Sequence, residues 1–262
     1  MAKLLIEQTL SDLKVKLRMG PMAQAIEDQR CNPDLLAMSF EDRLGMAVQI
    51  QVQARETNRL KKRTSEADFT LDACPEDINY RARRGLDRQV MANLLSCDYI
   101  EQSLNVIFTG PTGVGKTYIA QALGLQAVRR NYTVRYIRFS TFLEQIELAR
   151  GDGSLQDLRK ELSRKHLLIL DDWALSPLTE EGRQQLLEII DERQGKRSLI
   201  ITSQLPTSKW HTYLGEPTIG EAILDRILPR SHILKLSGES MRKQMSPLKK
   251  AKGRRKGVSN GR

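Results

Sequence analysis

Residues 104–117 read LNVIFTGPTGVGKT and combine two structural signals. The apolar run predicts a short buried strand over Leu104–Phe108, and apolar spacing predicts a helix over Tyr118–Val128. Between them lies a match to the pattern G-x-x-x-x-G-K-[ST]. In this context the pattern predicts a glycine-rich loop whose backbone N–H groups bind phosphate at a helix N-terminus. The predicted phosphate-binding residues are Gly110, Pro111, Thr112, Gly113, Val114, Gly115, Lys116 and Thr117.

Two side chains of this loop have specific chemistry. Lys116 is placed to reach the β- and γ-phosphates of a nucleoside triphosphate, and the Thr117 hydroxyl is placed to ligate Mg²⁺. The sequence has no Asn-Lys-x-Asp motif, with which ordinary GTPases read guanine, so we expect the nucleotide to be ATP. The predicted cofactors are therefore ATP and Mg²⁺.

A second apolar run ends in two acidic residues. Leu167–Leu170 predicts a buried strand, which Asp171 and Asp172 follow directly. Two carboxylates at a buried strand end are costly unless a cation or hydrogen bonds compensate them. We expect Asp171 to hold Mg²⁺ through water, and Asp172 to orient or deprotonate the attacking water. The alternative is that the two acids only cap the next turn.

Strand and helix signals alternate from about residue 66 onwards. Further strands are predicted at 133–139, 198–202 and 233–236, and further helices at 140–149, 155–164 and 179–193. This alternation predicts an α/β fold with three layers, in which helices cover both faces of a mainly parallel sheet. Because a strand–helix pair separates the loop from the acids, we expect an extra strand between their two strands. That topology is typical of hydrolysing or motor-type NTPases rather than small nucleoside kinases.

The first 65 residues predict a small all-helical domain instead. Gly20-Pro21 and Cys31-Asn32-Pro33 interrupt it, and Ser39 is placed to cap a longer helix that continues to about Arg63. The C-terminal part of this helix is basic, which fits either a DNA contact or an ordinary solvated face. Its basic residues are Arg55, Arg59, Lys61, Lys62 and Arg63.

The net charge is concentrated at the C-terminal end. The chain has 42 Lys and Arg against 32 Asp and Glu, a net charge of +10, of which residues 241–262 contribute +9. This segment lacks apolar periodicity, so we expect a flexible basic tail over 243–262. Such a tail either contacts nucleic acid or only aids solubility.

Composition excludes several classes of protein. With 262 residues, 40% of them hydrophobic, the chain can build a core without disulfides. Its three cysteines form no metal-binding or disulfide pattern and are typical of a reducing compartment. No apolar run is long enough for a membrane span, and the N-terminus lacks a signal-peptide pattern. We therefore expect a cytoplasmic protein with no membrane partner.

Three polar residues in the C-terminal third occupy notable positions. Gln204 follows the predicted strand 198–202, where it either contacts the γ-phosphate or the attacking water, or belongs to a polar turn. Arg226 and Arg242 lie beside apolar or capping residues. Taken alone, each arginine has the pattern of a structural or surface residue.

Together the motifs resemble AAA+ ATPases, and more narrowly the IstB-like transposition helpers, relatives of the DnaC helicase loaders and of DnaA. The resemblance covers most of 66–242 and, more loosely, the helical region before it. The phosphate loop and the acids are shared by many ATPases, whereas LDDW, TSQLP, DRI and GESMR together are more specific. The stretches are RGLDR at 84–88, GPTGVGKT at 110–117, LLILDDW at 167–173, TSQLP at 202–206, KW at 209–210, AILDRILPR at 222–230 and GESMR at 238–242.

The resemblance implies a role for each of the three polar residues. Gln204 would be a polar sensor of the γ-phosphate, and Arg226 an arginine finger that acts on ATP held by a neighbouring subunit. Arg242 would be a second sensor, which returns to the γ-phosphate of its own subunit. A finger that acts between subunits implies that hydrolysis needs a homo-oligomer. Asp172 stands where the wider AAA+ pattern has Glu, which implies slow hydrolysis rather than none.

The resemblance also implies a bacterial regulator of transposition. Such a protein assembles on duplex DNA with ATP, deforms the DNA, and recruits or stimulates a separate, IstA-like transposase. The domain 1–65 would face DNA and partner, and the domain 66–242 would be the AAA+ ATPase. We expect DNA contacts to phosphates without a base code. Two alternatives remain, a DnaC-like replicative helicase loader and a metabolic P-loop kinase; the basic tail and the lack of a recognisable acceptor-binding lid argue against the kinase.

Overall fold

The computed structural model describes residues 2–82 and 84–241. They form two compact units, with the division between Lys62 and Arg63. The predicted basic tail over 243–262 and the predicted sensor Arg242 lie outside the described residues.

The first unit is helical, and the helix breaks coincide with the Gly, Pro and Asn residues noted above. Its helices are α1 (Ala2–Val15), α2 (Gly20–Cys31), α3 (Pro33–Leu36) and the larger part of α4 (Phe40–Ala67). The predicted cap of α4 is confirmed, since Ser39 Oγ accepts a hydrogen bond from the Asp42 N–H at 3.1 Å. α4 continues to Ala67, a little beyond the predicted end near Arg63.

The second unit is built on one parallel sheet. Its strands are β1 (Asn105–Thr109), β2 (Val134–Arg138), β3 (Leu167–Trp173), β4 (Ser198–Ser203) and β5 (Ser231–Lys235). They lie in the order β2-β3-β4-β1-β5, and each neighbouring pair is parallel. The predicted α/β class with a mainly parallel sheet is therefore confirmed.

An extra strand does lie between the strand of the phosphate loop and the strand of the acids. That strand is β4, which follows both motifs in the sequence and pairs with β1 on one side and β3 on the other. The strand that separates the motifs along the chain, β2, lies instead at the outer edge of the sheet beside β3. The spatial prediction is right, although the chain interval that suggested it contains a different strand.

Helices cover both faces of the sheet and produce two hydrophobic cores. On β1, Val106 and Phe108 face one core together with residues of α5, α6 and α7, whereas Ile107 faces a second core with residues of α8 to α12. Within the described residues, no helix is long and apolar enough to cross a membrane. The helices are α5 (Arg88–Leu95), α6 (Asp98–Glu101), α7 (Lys116–Arg129), α8 (Phe139–Asp152), α9 (Leu155–Arg164), α10 (Glu180–Arg193), α11 (Trp210–Leu214) and α12 (Pro217–Ile227).

Arg193, at the end of α10, is only 1% exposed and has a structural role. Its guanidinium donates hydrogen bonds to the carbonyl oxygens of Leu162 at 2.6 Å, Lys165 at 2.9 Å and Ser198 at 2.6 Å. Burial, and then the charge of Arg197, lower the pKa of Arg193 to about 9. The side chain thus joins the end of α9 to the beginning of β4 and supplies hydrogen-bond donors to three carbonyl groups.

Replacement of Arg193 by Met keeps the apolar length of the side chain but removes these donors. We expect Arg193→Met to lower the free energy of unfolding by about 3 kcal/mol, because each buried acceptor left unsatisfied costs about 1–3 kcal/mol. Urea unfolding followed by circular dichroism measures the change. The control is Arg129→Met, at an exposed position. A stability equal to that of the wild type would contradict the proposed role of Arg193.

Candidate nucleotide-binding site

The glycine-rich loop adopts a conformation that only glycine tolerates easily at three positions. The backbone φ angles are 145° at Gly110, 82° at Gly113 and 96° at Gly115, and α7 begins at the next residue, Lys116. Such a loop before a helix N-terminus is a concave arrangement of backbone N–H groups that suits an anion. The structure therefore places six of the eight predicted phosphate-binding residues in the loop between β1 and α7, and the other two, Lys116 and Thr117, in the first turn of α7.

The segment after β5 packs against this loop. Leu236 N–H donates to Thr109 O at 2.7 Å, and Met241 N–H donates to Gly113 O at 2.8 Å. A Cβ atom at Gly110 would collide with the carbonyl oxygen of Leu236. The stretch that ends in GESM thus forms one wall of the loop, and Arg242 comes directly after it in the sequence.

Arg84 supports the loop from another direction. Its guanidinium donates to Val114 O at 3.0 Å and to Asn79 O at 2.9 Å, and a Cβ atom at Gly115 would collide with it. Burial lowers the pKa of Arg84. Sequence reasoning quoted Arg84 only as part of RGLDR and missed this contact.

Lys116 is folded back onto the loop that precedes it. Its Nζ donates to Gly110 O at 2.8 Å and to Pro111 O at 2.9 Å, and the residue is 5% exposed. The ammonium group is therefore held inside the loop, where a phosphate chain would lie along the N–H groups.

Asp171 is 1% exposed and accepts hydrogen bonds from three hydroxyl groups. Thr117 Oγ1 and Thr202 Oγ1 donate to its Oδ1 at 3.0 and 2.6 Å, and the Tyr136 hydroxyl donates to its Oδ2 at 2.8 Å. Burial, followed by the charge of Asp171, raises the pKa of Tyr136 to about 12, so this hydroxyl stays a proton donor at neutral pH. These bonds bring β2, β3, β4 and α7 together at one carboxylate.

The oxygen atoms of Thr117 and Asp171 fit the requirements of Mg²⁺. Hydroxyl and carboxylate oxygens are the usual protein partners of this ion, bound directly or through water. Thr117 Oγ1 donates a hydrogen bond to Asp171 Oδ1 at 3.0 Å, so the hydroxyl that would bind the ion lies beside the carboxylate that would hold it through water. The two residues are therefore suited to hold the ion beside the phosphate loop.

Asp172 leaves the regular strand geometry. Its φ angle is 59°, and the pairing of β3 with β4 shifts register between Leu170 and Trp173. The Asp172 N–H donates to Thr202 Oγ1 at 3.1 Å, so one threonine contacts the backbone of Asp172 and the carboxylate of Asp171. The bulge leaves Asp172 half-buried, whereas Asp171 is fully buried.

Gln204 is exposed and directly follows β4. The preceding carbonyl, Ser203 O, accepts a hydrogen bond from Gly110 N–H at 3.1 Å. Gln204 therefore lies next to the beginning of the phosphate loop, at the same edge of the sheet as the two acids.

Arg226 lies at the opposite edge of the sheet. Asn105 Nδ2 donates to Ile227 O at 3.3 Å, which places the end of α12 at the beginning of β1. The five residues of β1 separate this point from the phosphate loop by about 13 Å. Arg226 Nε is paired with Asp191 Oδ1 at 2.6 Å. The structure does not bring Arg226 to the nucleotide site of its own chain.

The predicted DNA-binding residues all belong to α4. Four of them, Arg55, Arg59, Lys61 and Lys62, are exposed. Arg63 is half-buried and donates a hydrogen bond to Asn131 Oδ1.

Thr202 and Tyr136 were missed by sequence reasoning, although each carried a partial signal. Thr202 is the first residue of the TSQLP stretch, and Tyr136 lies in the middle of the predicted strand 133–139. Only the strand order shows that β2 and β4 flank β3, and hence that both hydroxyls reach Asp171.

Tyr136→Phe removes one of the three hydroxyl donors to Asp171 without changing the size of the ring. We expect the Mg²⁺ concentration needed for half-maximal binding of a fluorescent ATP analogue to rise about 10-fold, the usual cost of losing an outer partner of a metal ligand. Binding without Mg²⁺ should not change. Tyr118→Phe is the matched control, because the Tyr118 hydroxyl contacts Cys74 O at 3.4 Å instead. An unchanged Mg²⁺ requirement would contradict the role of Tyr136.

Comparisons with known proteins identify a family of ATP-binding proteins. The profile of the IstB-like ATP binding protein family matches residues 12–249. An insertion sequence ATP-binding protein, y4pL of Sinorhizobium fredii (strain NBRC 101917 / NGR234), is 42% identical over 222 residues, which are 85% of this chain and 91% of that protein.

Two solved structures show the same fold at low identity. The crystal structure of DnaI has a TM-score of 0.56 and 16% identity, covering 63% of this chain and 91% of that chain. The replication initiator DnaA bound to AMPPCP and single-stranded DNA has a TM-score of 0.52 and 15% identity, covering 74% and 58%. With a phosphate loop, buried acid and strand order that agree with this assignment, the chain belongs to the IstB-like family of insertion-sequence ATP-binding proteins.

Proposed function

We propose that the protein is an ATP-hydrolysing, DNA-binding regulator of transposition, which assembles on duplex target DNA, deforms it and recruits or stimulates a separate, IstA-like transposase. The observation that carries the ATPase part is the Thr117–Asp171 pair, 3.0 Å apart, beside the phosphate loop. Membership of an insertion-sequence family supports the link to transposition. Hydrolysis would control assembly and release.

The residues of the site have separable roles in this proposal. The loop N–H groups bind the phosphates, and Lys116 exchanges its two carbonyl partners for β- and γ-phosphate oxygens. Thr117 and Asp171 hold Mg²⁺, which when bound neutralises charge that develops on the phosphates. Asp172 orients or deprotonates the attacking water, and Gln204 senses the γ-phosphate from the end of β4. Arg242 follows the wall of the loop in sequence and is proposed as the second sensor.

Arg226 is proposed to act on the ATP of a neighbouring subunit. Its position at the opposite edge of the sheet supports this, because one subunit alone cannot bring Arg226 to its own phosphate loop. An arginine supplied by a neighbour stabilises negative charge in the transition state for phosphoryl transfer. Hydrolysis would then depend on assembly of a homo-oligomer.

DNA contact is proposed for the helical domain 1–65, the region before the ATPase domain 66–242, and for the basic tail 243–262. The support is the four exposed basic residues near the end of α4 and the charge of +9 in residues 241–262. Contacts of this kind engage phosphates and carry no base code.

Lys116→Ala removes the charge that holds the β- and γ-phosphates. We expect this variant to lose ATP-dependent assembly on duplex DNA, which analytical ultracentrifugation with labelled duplex measures. The control is Lys16→Ala, an exposed lysine directly after α1 that is paired with Asp12 at 3.0 Å. Unchanged, nucleotide-independent duplex binding by Lys116→Ala would overturn the proposal. A preference for single strands together with capture of a replicative helicase would favour a helicase loader.

Arg226→Ala should abolish DNA-stimulated hydrolysis and leave ATP binding intact. Arginine fingers are worth about 10³-fold or more in rate, so we expect the stimulated rate to fall to the rate without DNA. A phosphate-release assay measures it, with Arg150→Ala as control, since Arg150 is paired with Glu181 elsewhere.

A mixing experiment separates action between subunits from action within one. Arg226→Ala subunits retain their own site, and Asp172→Asn subunits retain the arginine, so mixtures should hydrolyse ATP faster than either variant alone. No recovery in any mixture would contradict action between subunits.

A further inference from the structure

The ends of α9 and α10 form a groove of about 520 Å³ on the second unit, here named the α9–α10 groove. Its lining residues are Lys160, Ser163, Arg164, Glu192, Lys196 and Arg197. Arg164 is the last residue of α9 and lies shortly before the beginning of β3, and Arg197 immediately precedes β4. The groove therefore lies at the amino-terminal edge of the sheet, whereas the phosphate loop lies at the carboxyl-terminal edge.

The acidic residue that lines the groove is already neutralised from outside it. Arg159 pairs with Glu192 at 3.0 Å, and it pairs with Glu188 as well. The neighbouring Ser163 side chain, with further contributions from Arg159 and from the charge of Lys196, holds the pKa of Glu192 below its usual range. Glu192 thus stays ionised, and its carboxylate is paired with Arg159.

Three cations of the groove lack such a partner. Within residues 2–82 and 84–241, no carboxylate lies within ion-pair distance of Arg164, Lys196 or Arg197, whereas Lys160 has Asp157 at 3.9 Å. Arg164 and Lys196 are exposed, and Arg197 is half-buried. The groove is therefore a cationic surface on which, among the described residues, these three side chains form no ion pair, although the charge of Lys196 acts on Glu192 from a longer distance.

The positive charges at this edge repel one another. The charge of Arg197 lowers the pKa of buried Arg193 and that of His166, after the larger effect of burial in both cases. Arg193 and Arg63 also lower the pKa of His166. Clustered like charges are unfavourable in the isolated protein, and a bound polyanion would relieve the repulsion.

We propose that the α9–α10 groove binds the phosphodiester backbone of duplex DNA, through Arg164, Lys196 and Arg197. This inference deepens the proposed function and rests on it, since it adds a DNA-binding surface on the ATPase domain to the helical domain and the tail.

The composition of the groove favours duplex backbone over other nucleic-acid contacts. Among the residues that line it there is no aromatic side chain on which an unpaired base could stack, the usual means of holding single strands. It also has no Asn or Gln, the side chains that usually read adenine. Because the groove and the phosphate loop lie at opposite edges, DNA and ATP can bind one subunit together.

The test compares two variants of equal net charge in the full-length protein with ATP and Mg²⁺. The groove variant is Arg164→Gln, Lys196→Gln, Arg197→Gln. The matched control is Lys16→Gln, Arg129→Gln, Arg150→Gln, in which each lost charge is already paired with a carboxylate, Asp12, Glu76 or Glu181. Fluorescence anisotropy with a labelled duplex of random sequence gives the dissociation constant at several salt concentrations.

We expect the groove variant to bind duplex more weakly and with less dependence on salt. Each lost phosphate contact lowers the slope of log affinity against log salt by about 0.9, so three contacts lower it by about 2.7. The control should keep the slope of the wild type. Arg197→Gln alone should lower the slope by about 0.9. It should not lower the melting temperature, because it removes a charge that repels Arg193. This single variant keeps the test valid if the triple variant fails to fold.

The outcomes separate the groove from the wider proposal. If wild type binds duplex in an ATP-dependent manner and the groove variants match it in affinity and slope, the groove assignment is overturned and the proposed function stands. If ATP-dependent assembly is lost while the salt slope is unchanged, the groove belongs to a contact between subunits, and this result also contradicts the proposal. Such a contact is an alternative because Arg197 also lines a pocket with Arg226, the residue proposed to act on a neighbouring subunit. If the wild type binds no duplex at all, the proposed function itself fails.

Discussion

Asp171 imposes the strictest requirement on this structure. A carboxylate that is almost fully buried at a strand end is unfavourable unless donors surround it. The donors are hydroxyl groups from three elements, Tyr136 of β2, Thr202 of β4 and Thr117 of α7. They meet at Asp171 only if β2 and β4 flank β3 and α7 begins beside them. Strand order, the bulge at Asp172 and the start of α7 are therefore tied to one side chain.

The polarity of the sheet divides the second unit into two chemically different edges. The phosphate loop and Gln204 follow the carboxyl ends of β1 and β4, and the two acids lie in the last residues of β3, as is usual for ligand sites of open α/β sheets. Arg226 and the α9–α10 groove lie at the amino ends, where buried Arg193 also joins α9 to β4. Because strands keep the two edges apart, an arginine at one edge can meet a phosphate loop at the other only in a second copy of the chain.

Local patterns predicted most of the secondary structure of this chain. The helix over 155–164 was predicted at its observed bounds, and the helix after the phosphate loop was predicted two residues late at its beginning. Apolar periodicity and helix caps act over a few residues, so a single sequence contains them in full. Strand pairing, in contrast, joins residues that are far apart in the chain, so a local pattern does not contain it. For this reason the interval between the two motifs pointed to β2, although the strand that lies between β1 and β3 in the sheet is β4.

From the residues alone, the phosphate loop and the adjacent acids could be identified, because each depends on neighbours in the chain and on chemistry that few residue types provide. Tertiary structure alone decided which hydroxyls bind Asp171, that Arg84 supports Val114, and that Arg226 lies at the edge of the sheet opposite its own loop. Each of these contacts joins positions at least 30 residues apart in the chain, or depends on which strand lies beside which. Such contacts follow from how two hydrophobic cores pack on one sheet, and no local pattern records that packing.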